Sequence, residues 1–187
     1  MRIISGLKKG RRLATPKDRS IRPTTDRTKQ FIFDYLGANV ADADVLDLFS
    51  GTGNLGLESL SRGASHVTFV ENNRVALKLI EKNLEITGFE SKSRIVRSNV
   101  WDYMRYAASN GVRYDLIFAD PPYLFKQYQK LIEFVDRSSM LNQDGHFILE
   151  HESALKINFN LSVLKMIKSK KSGVTTVSFF VEEGEKN

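Results

Sequence analysis

The chain has 187 residues with an ordinary hydrophobic share of 41%, and it contains no cysteine, which excludes disulfides and thiolate metal sites. This length predicts one domain that buries roughly 70% of its extended surface. No apolar run approaches the ~18–20 residues needed to span a bilayer, and the N-terminus lacks a secretory signal pattern. We therefore expect a cytoplasmic protein that does not enter a membrane.

The N-terminal arm holds most of the basic character. Residues 1–30 carry ten basic and two acidic side chains, so within a net charge of +6 the remainder of the chain carries −2. A solvated tail is one interpretation, but apolar residues and prolines interleave the charges, which favours a strap that binds a polyanion. The residues expected to contact this polyanion are Lys8, Lys9, Arg11, Arg12 and Arg22.

Hydrophobic periodicity beyond the arm predicts strands that alternate with helices. Helices of this length between strands imply parallel pairing with right-handed crossovers. Residues 161–168 and 174–181 flank Lys-Lys-Ser-Gly and predict an antiparallel hairpin, whose tip lysines are either solvated or in contact with a polyanion. The fold class is therefore α/β, a Rossmann-like doubly wound sheet of seven strands that ends in a C-terminal hairpin. Predicted helices cover 28–36, 55–62, 74–87, 100–108 and 127–135, and predicted parallel strands cover 45–49, 66–70, 94–97, 114–119 and 146–150.

A glycine motif follows the first predicted strand. Gly51, Gly53 and Gly56 form G-x-G-x-x-G at the start of a helix, and Glu71 ends the second strand 20 residues after Gly51. In a nucleotide site the glycines admit the ligand close to the backbone and the acid accepts hydrogen bonds from ribose hydroxyls. The alternative is a tight strand-to-helix turn with a surface glutamate. The placement between strand and helix favours the nucleotide site.

Two further residues bear on which nucleotide binds. Asp47 lies inside the first strand, where a buried carboxylate needs a partner, and a cofactor with a cationic amino-acid end would supply one. Asn99 follows the third strand and offers an amide to an adenine edge. Together they favour S-adenosylmethionine over NAD.

The fourth strand runs into Asp120, Pro121, Pro122 and Tyr123. Each proline fixes its own φ and lacks an N–H, and residues before proline avoid helical geometry, so the segment is stiff. A carboxylate, carbonyl oxygens and an aromatic face at a strand end suit a planar substrate with an exocyclic NH2. A rigid turn without catalytic function is the alternative. The three histidines lack metal-ligand spacing, and no metal site is expected.

These motifs resemble a known family. The segment 45–56 with Glu71 resembles the first motifs of class I S-adenosylmethionine-dependent methyltransferases, and Asp120–Tyr123 resembles the D/N-P-P-Y/F signature of enzymes that methylate planar nitrogens. Residues 1–6, 9–11 and 21–27 are similar to the bacterial 16S rRNA (guanine-N2)-methyltransferase family, and the match covers essentially the whole chain.

The resemblance implies a strand order of 3-2-1-4-5-7-6 and methyl transfer to the N2 of a guanine in 16S rRNA of the small ribosomal subunit or its assembly intermediate. It divides the chain into an RNA-binding arm, 1–25, and a methyltransferase domain, 26–187, and we expect a monomer. By position, Gly51, Gly53 and Glu71 bind the cofactor and Asn99 faces its adenine, although many methyltransferases have Asp there. Thr24 and Arg22 lie at the rim of the site, and Asp120 to Tyr123 hold the base.

Three alternatives remain. An adenine-N6 nucleic-acid methyltransferase or a protein glutamine methyltransferase uses a similar tetrapeptide, although DNA enzymes usually carry a further recognition region for which this chain has no room. An NAD-dependent oxidoreductase shares the glycine motif but needs a proton donor that the sequence does not reveal. A catalytically silent RNA-binding protein is disfavoured by intact Gly51, Gly53, Glu71 and Asp120.

Overall fold

The structure is a computed structural model that describes residues 1–16, 25–155 and 160–183. One seven-stranded sheet with the strand order 3-2-1-4-5-7-6 forms its centre, which confirms the predicted fold class. The first five strands are parallel, and the last two form an antiparallel hairpin that pairs with β5. The strands are β1 (Asp44–Leu48), β2 (His66–Glu71), β3 (Ser93–Arg97), β4 (Tyr114–Ala119), β5 (Leu141–Glu152), β6 (Leu164–Ser172) and β7 (Thr175–Glu182).

Helices cover both faces of the sheet. Apolar side chains from the first three helices pack on one face and those from the last two pack on the other, so alternate strand residues enter two separate cores. Three short 3-10 turns occupy Gly6–Lys8, Gly37–Val40 and Glu90–Lys92. The helices are α1 (Asp26–Leu36), α2 (Asn54–Ser61), α3 (Arg74–Thr87), α4 (Val100–Ser109) and α5 (Tyr128–Arg137).

Helix ends follow local side-chain chemistry. The side chain of Asn73 accepts from the N–H groups of Val75 and Ala76 at the start of α3, and Gly88, at a φ of +68°, ends the helix. Both ends of α3 match the prediction, but Val75, predicted to face the core, is 59% exposed. At the first turn of α3 the apolar face is formed by Ala76 and Leu77 instead.

Strand β5 is longer than predicted, because the sequence Asn-Gln-Asp-Gly at 142–145 reads as a turn. The structure keeps this segment in the strand through an irregularity in its pairing with β4, between Tyr114 and Leu116. Asp144 adopts a φ of 62° there, a conformation that aspartate tolerates better than most residues. The strand that reaches the cavity described below is unaffected.

The first 14 residues are packed onto the domain. Ile3 is completely buried and Leu13 is nearly so, both within the core that contains α1 and α2. The carboxylate of Glu58 on α2 accepts the backbone N–H groups of Ile4 and Ser5 at 2.8 and 3.0 Å. Residues 1–14 therefore contribute to the common core. The division of the chain into an RNA-binding arm and a methyltransferase domain remains a prediction. Within the described ranges, no helix is both long and apolar enough to cross a membrane.

Candidate active site

A cavity of about 670 Å³ opens at the carboxyl ends of the parallel strands, a volume within the range of small-molecule sites. Loops that leave neighbouring strands line it, as expected for an open α/β sheet. Because Leu48 on β1 pairs with Ala119 on β4, the glycine loop and the proline loop leave the sheet side by side. The predicted residues that line the cavity are Asp47, Gly51, Glu71, Asp120, Pro121, Pro122 and Tyr123.

Glu71 fastens the glycine loop to the end of β2. One carboxylate oxygen accepts the N–H of Gly51 at 2.9 Å, and the other accepts those of Asn72 and Asn73, each at 2.8 Å. A carboxylate offers about four acceptor positions. These bonds therefore orient Glu71 at the cavity and leave capacity to accept ribose hydroxyls, the role predicted for it.

The three glycines have separate structural reasons. Gly51 lines the cavity, whereas Gly53 adopts a φ of +76° at the start of α2 and is buried. A Cβ on Gly56 would lie 2.4 Å from the ring of Phe69, so this glycine permits close packing of α2 on β2. Of the glycines predicted to bind the cofactor, Gly51 lies at the cavity and Gly53 lies behind it.

Asp47 is a buried carboxylate beside the glycine loop. Its side chain accepts the N–H of Gly56 at 3.0 Å. Burial raises the pKa of Asp47 well above its ordinary value; the Gly56 bond opposes this, and the charges of Asp120 and Glu71 add to it. The charges of Asp120 and Glu71 therefore add to the cost of ionising Asp47. A cation bound here would relieve that repulsion.

The proline loop contributes a carboxylate, two prolines and an aromatic ring to the cavity lining. Asp120 is half-buried on the same face of the sheet as Asp47, and Pro121 is buried. The Pro122 carbonyl accepts the N–H of Phe125 at 2.8 Å, so this carbonyl is engaged in a turn. The Tyr123 side chain is 51% exposed, which leaves ring surface for a planar ligand.

Residues from β5 and α5 complete the opposite wall. Tyr128 is buried, and burial together with the carboxylates of Glu152, Asp120 and Glu150 raises its pKa to about 12. His151 bonds to the Glu152 carbonyl through Nδ1 and to Ser178 Oγ through Nε2, each at 2.9 Å. Because a carbonyl only accepts, Nδ1 carries the proton and Ser178 donates to Nε2. Burial lowers the pKa of His151, which favours this neutral form.

Sequence reasoning missed several members of this wall. Thr25 and Thr28 of α1, and Ser172 and Thr175 beside the hairpin turn, also line the cavity. Nothing in their local sequence marks them. Ser172 and Thr175 reach the site through the pairing of β6 and β7 with β5, and Thr25 and Thr28 reach it through the packing of α1 on the sheet. Tyr128 carried one usable signal, its place at the start of the helix that follows the proline loop.

Other predicted residues lie away from the cavity or outside the described ranges. Asn99 is exposed at the start of α4, where its side-chain oxygen accepts the N–H of Trp101 at 2.9 Å. It lies beyond the cavity lining, two residues past Arg97, the pairing partner of Glu71, so contact with an adenine remains a prediction. Thr24 and Arg22 fall in 17–24, outside the described residues. In the ranges that the structure does describe, no three His, Asp or Glu residues are grouped to hold a metal.

The predicted RNA contacts of the arm are spread over two places. Lys8 lies against the C-terminal ends of α2 and α3, with its amide bonded to Ser61 and its ammonium 5.7 Å from the Phe89 ring centroid. The backbone of Arg12 forms an antiparallel β-bridge with that of Arg2. The Arg2 side chain donates to the carboxylate of Asp26 at the start of α1, near the cavity. Lys9, Arg11 and Arg12 are exposed. Their contact with RNA remains a prediction.

Comparison with known proteins places these features in one family. A family described as "Conserved hypothetical protein 95" matches residues 1–181. Bacillus subtilis YlbH, provisionally named an rRNA methyltransferase, is 34% identical over 98% of this chain and 100% of its own length. Ribosomal RNA small subunit methyltransferase D of Escherichia coli K12 is 35% identical over 81% of this chain and 75% of its own. The solved structure of yhhF from Escherichia coli, provisionally described as a methyltransferase, superposes with a TM-score of 0.82 at 30% identity, covering 98% of both chains.

Proposed function

The chain belongs to the family described as "Conserved hypothetical protein 95", and on this premise we propose that it transfers a methyl group from S-adenosylmethionine to the exocyclic N2 of a guanine in small-subunit ribosomal RNA. Its curated relatives at this level of identity are named as rRNA methyltransferases. One observation supports the chemistry most directly. The glycine loop and Asp120 leave adjacent strands into one cavity, so a methyl donor and an amino group can meet there.

The charge of the cavity suits this cofactor. S-adenosylmethionine carries a sulfonium and an ammonium, which the carboxylates of Asp47, Glu71 and Asp120 attract. The pyrophosphate of NAD would meet the same three carboxylates and be repelled, which disfavours the oxidoreductase alternative. We propose that Glu71 holds the ribose, that Asp47 and the Gly51 loop hold the amino-acid end, and that Asn99 faces the adenine. When bound, the cofactor supplies an activated methyl group.

The protein's own contribution is to position the amino group. We propose that Asp120 and the Pro121 carbonyl accept hydrogen bonds from the two N–H groups of the guanine N2. These bonds direct the lone pair of N2 towards the methyl donor. Tyr123 stacks on the base, a contact worth roughly 1–3 kcal/mol, comparable with the few kcal/mol needed to remove a base from its stack. Asp120 then holds the proton released from N2, and positioning with electrostatics accounts for the acceleration.

We also propose how the protein meets its substrate. The arm, with Lys8, Lys9, Arg11, Arg12 and Arg22, contacts phosphates of 16S rRNA in the small subunit or an assembly intermediate, in the cytoplasm. We propose that the protein acts as a monomer. Strand β6 at the edge of the sheet supports this, because it carries several exposed lysines, and charge on an edge strand opposes pairing with a second sheet.

The decisive experiment supplies tritiated S-adenosylmethionine and rRNA from a strain that lacks this gene. Label in N2-methylguanosine is expected; label in N6-methyladenosine or in protein would replace the proposal with one of its rivals. Asp120→Ala should abolish turnover while calorimetry shows S-adenosylmethionine affinity within a few-fold of the parent. Asp102→Ala, an exposed aspartate on α4, is the control and should change neither quantity. Equal loss of both by Asp120→Ala would show that Asp120 builds the cofactor site instead.

A further inference from the structure

We propose a second RNA-binding surface, which rests on the proposed function: an α1–β6 strip formed by Phe31, Tyr35, Lys168 and Lys170 that contacts the phosphate backbone leading to the cavity. The strip joins a helix to the edge strand of the sheet. It is separate from the N-terminal arm, which holds most of the excess basic residues of the sequence.

The two lysines lie over aromatic rings. Lys170 Nζ lies 4.1 Å from the ring centroid of Phe31, and Lys168 Nζ lies 4.5 Å from that of Tyr35. Both rings also pack on the buried Phe179, at centroid distances of 5.6 and 4.5 Å, which fixes them from beneath. These contacts hold both ammonium groups in place on an exposed surface, so less side-chain entropy is lost when a phosphate binds.

The charges of the strip are available to an external anion. Among the described residues, Lys168 and Lys170 form no salt bridge, whereas Lys165 on the same strand is paired with Glu183 at 2.7 Å. An aromatic face attracts a cation without neutralising its charge. Two cations without carboxylate partners therefore favour a polyanion over a neutral or basic partner.

The strip leads directly to the cavity. Thr28 of α1 lines the cavity, and Phe31 follows on the same helix face one turn later. On the other side Ser172 lines the cavity, and at about 3.3 Å per residue Lys170 and Lys168 lie roughly 7 and 13 Å back along β6. An RNA strand whose base enters the cavity would therefore pass these cations as it leaves the cavity. This arrangement favours RNA over a protein partner.

The test removes two charges while leaving the fold and the cavity residues in place. For Lys168→Gln with Lys170→Gln, affinity for deproteinised small-subunit rRNA, measured by filter binding at several salt concentrations, should fall about tenfold at 100 mM salt. The slope of log K against log salt should become shallower by about 1.4–1.8, the value for two lost phosphate contacts. Lys168→Arg with Lys170→Arg should retain the parent's affinity. The control Arg113→Gln with Arg137→Gln removes two exposed cations, one just before β4 and one at the end of α5, and should leave affinity within twofold.

Two further readouts separate this proposal from a structural role and from the proposed function. The cofactor affinity and unfolding midpoint of the double glutamine variant should match the parent. A lower unfolding midpoint with unchanged RNA affinity would mean that the lysines only stabilise the hairpin. An equal loss of RNA affinity in the control variant would mean that the location of the charges is unimportant. Either result overturns the proposed α1–β6 strip. The proposed function fails separately, if the parent protein leaves N2-methylguanosine unlabelled.

Discussion

The ammonium of Lys29 lies 3.3 Å from the carboxylate of Glu58, and neither side chain has accessible surface. Lys29 also donates to the Arg2 carbonyl at 2.6 Å and to the Asn54 side chain at 2.8 Å. Burial lowers the pKa of Lys29, while the charge and hydrogen bond of Glu58 raise it. Since Glu58 also binds the amides of Ile4 and Ser5, one buried pair joins the N-terminal segment to α1 and α2.

Removing this lysine should be costly. Lys29→Met leaves the buried Glu58 with Arg62, at 2.9 Å, as its remaining cation. Loss of one partner of a buried pair costs roughly 3–5 kcal/mol of unfolding free energy, and because Arg62 stays in place we expect a loss at the lower end of this range. Urea unfolding measures the change. The control Arg105→Met breaks a pair with Asp102 in which both side chains are more than 60% exposed, and should cost less than about 1 kcal/mol. Equal small losses would show that Lys29 is not the element that holds the segment.

The sequence predicts the elements of this fold well where signals are local. Both ends of α3 are determined by Asn73 and Gly88. The parallel pairing and the final hairpin follow from helical crossovers and turn residues, whereas the strand order was implied by the family resemblance. The Lys29–Glu58 pair could not be predicted, because a lysine in an amphipathic helix reads as exposed. Its burial depends on a segment that folds back over α2, a contact that no local pattern encodes.

The candidate site shows the same division. Asp47, Gly51 and Glu71 follow from strand, turn and acid at fixed spacing, and all three line the cavity. Thr175 reaches the cavity through the pairing of β7 with β5, so its type and neighbours gave no indication, whereas Tyr128 carried one signal, its place at the start of the helix after the proline loop. Asn99 follows its strand as predicted, yet the cavity lining ends before it because its side chain caps α4.

Asp47→Asn should stabilise the free protein and weaken cofactor binding. When folding raises the pKa of an acid, the free energy of unfolding falls as pH rises from the unfolded pKa, about 4, through the folded one. Ionised Asp47 therefore destabilises the fold near neutrality. The amide should therefore raise unfolding free energy at pH 7 by about 0.5–2 kcal/mol, a common range for one stabilising substitution. Cofactor affinity should fall about tenfold or more, since a hydrogen bond to a charged group contributes roughly 1.5–3 kcal/mol.

Calorimetry and thermal unfolding of the same sample check both parts of that expectation. Asp34→Asn, an exposed aspartate on α1, is the control and should alter neither quantity. A variant that is less stable and still binds the cofactor fully would contradict both the electrostatic account of Asp47 and its proposed role.

Gly56→Ala should destabilise α2 against β2. Alanine gains roughly 1 kcal/mol of helix propensity over glycine, but its Cβ would lie 2.4 and 2.8 Å from two ring atoms of Phe69, and overpacking costs roughly 1–3 kcal/mol. We expect a net loss measurable by urea unfolding, recovered in part when Phe69→Leu is added. Gly111→Ala is the matched control, because Gly111 has a φ of +64° and open space around it. Its cost comes from backbone conformation alone, so Phe69→Leu should leave that cost unchanged.

Acid sensitivity should depend on His151, because burial lowers its pKa. Below its unfolded value of about 6.5 the unfolded chain binds a proton that the folded site resists, so stability falls as pH drops through 6.5 towards the folded pKa. The half-buried His146 has its pKa lowered by desolvation as well and should act in the same direction. Unfolding free energies from pH 7.5 to 5 should therefore decline less steeply in His151→Gln than in the parent, and least in the variant that adds His146→Gln. A His151→Gln slope equal to the parent's would show that the bonds to Ser178 and Glu152 do not hold the imidazole neutral.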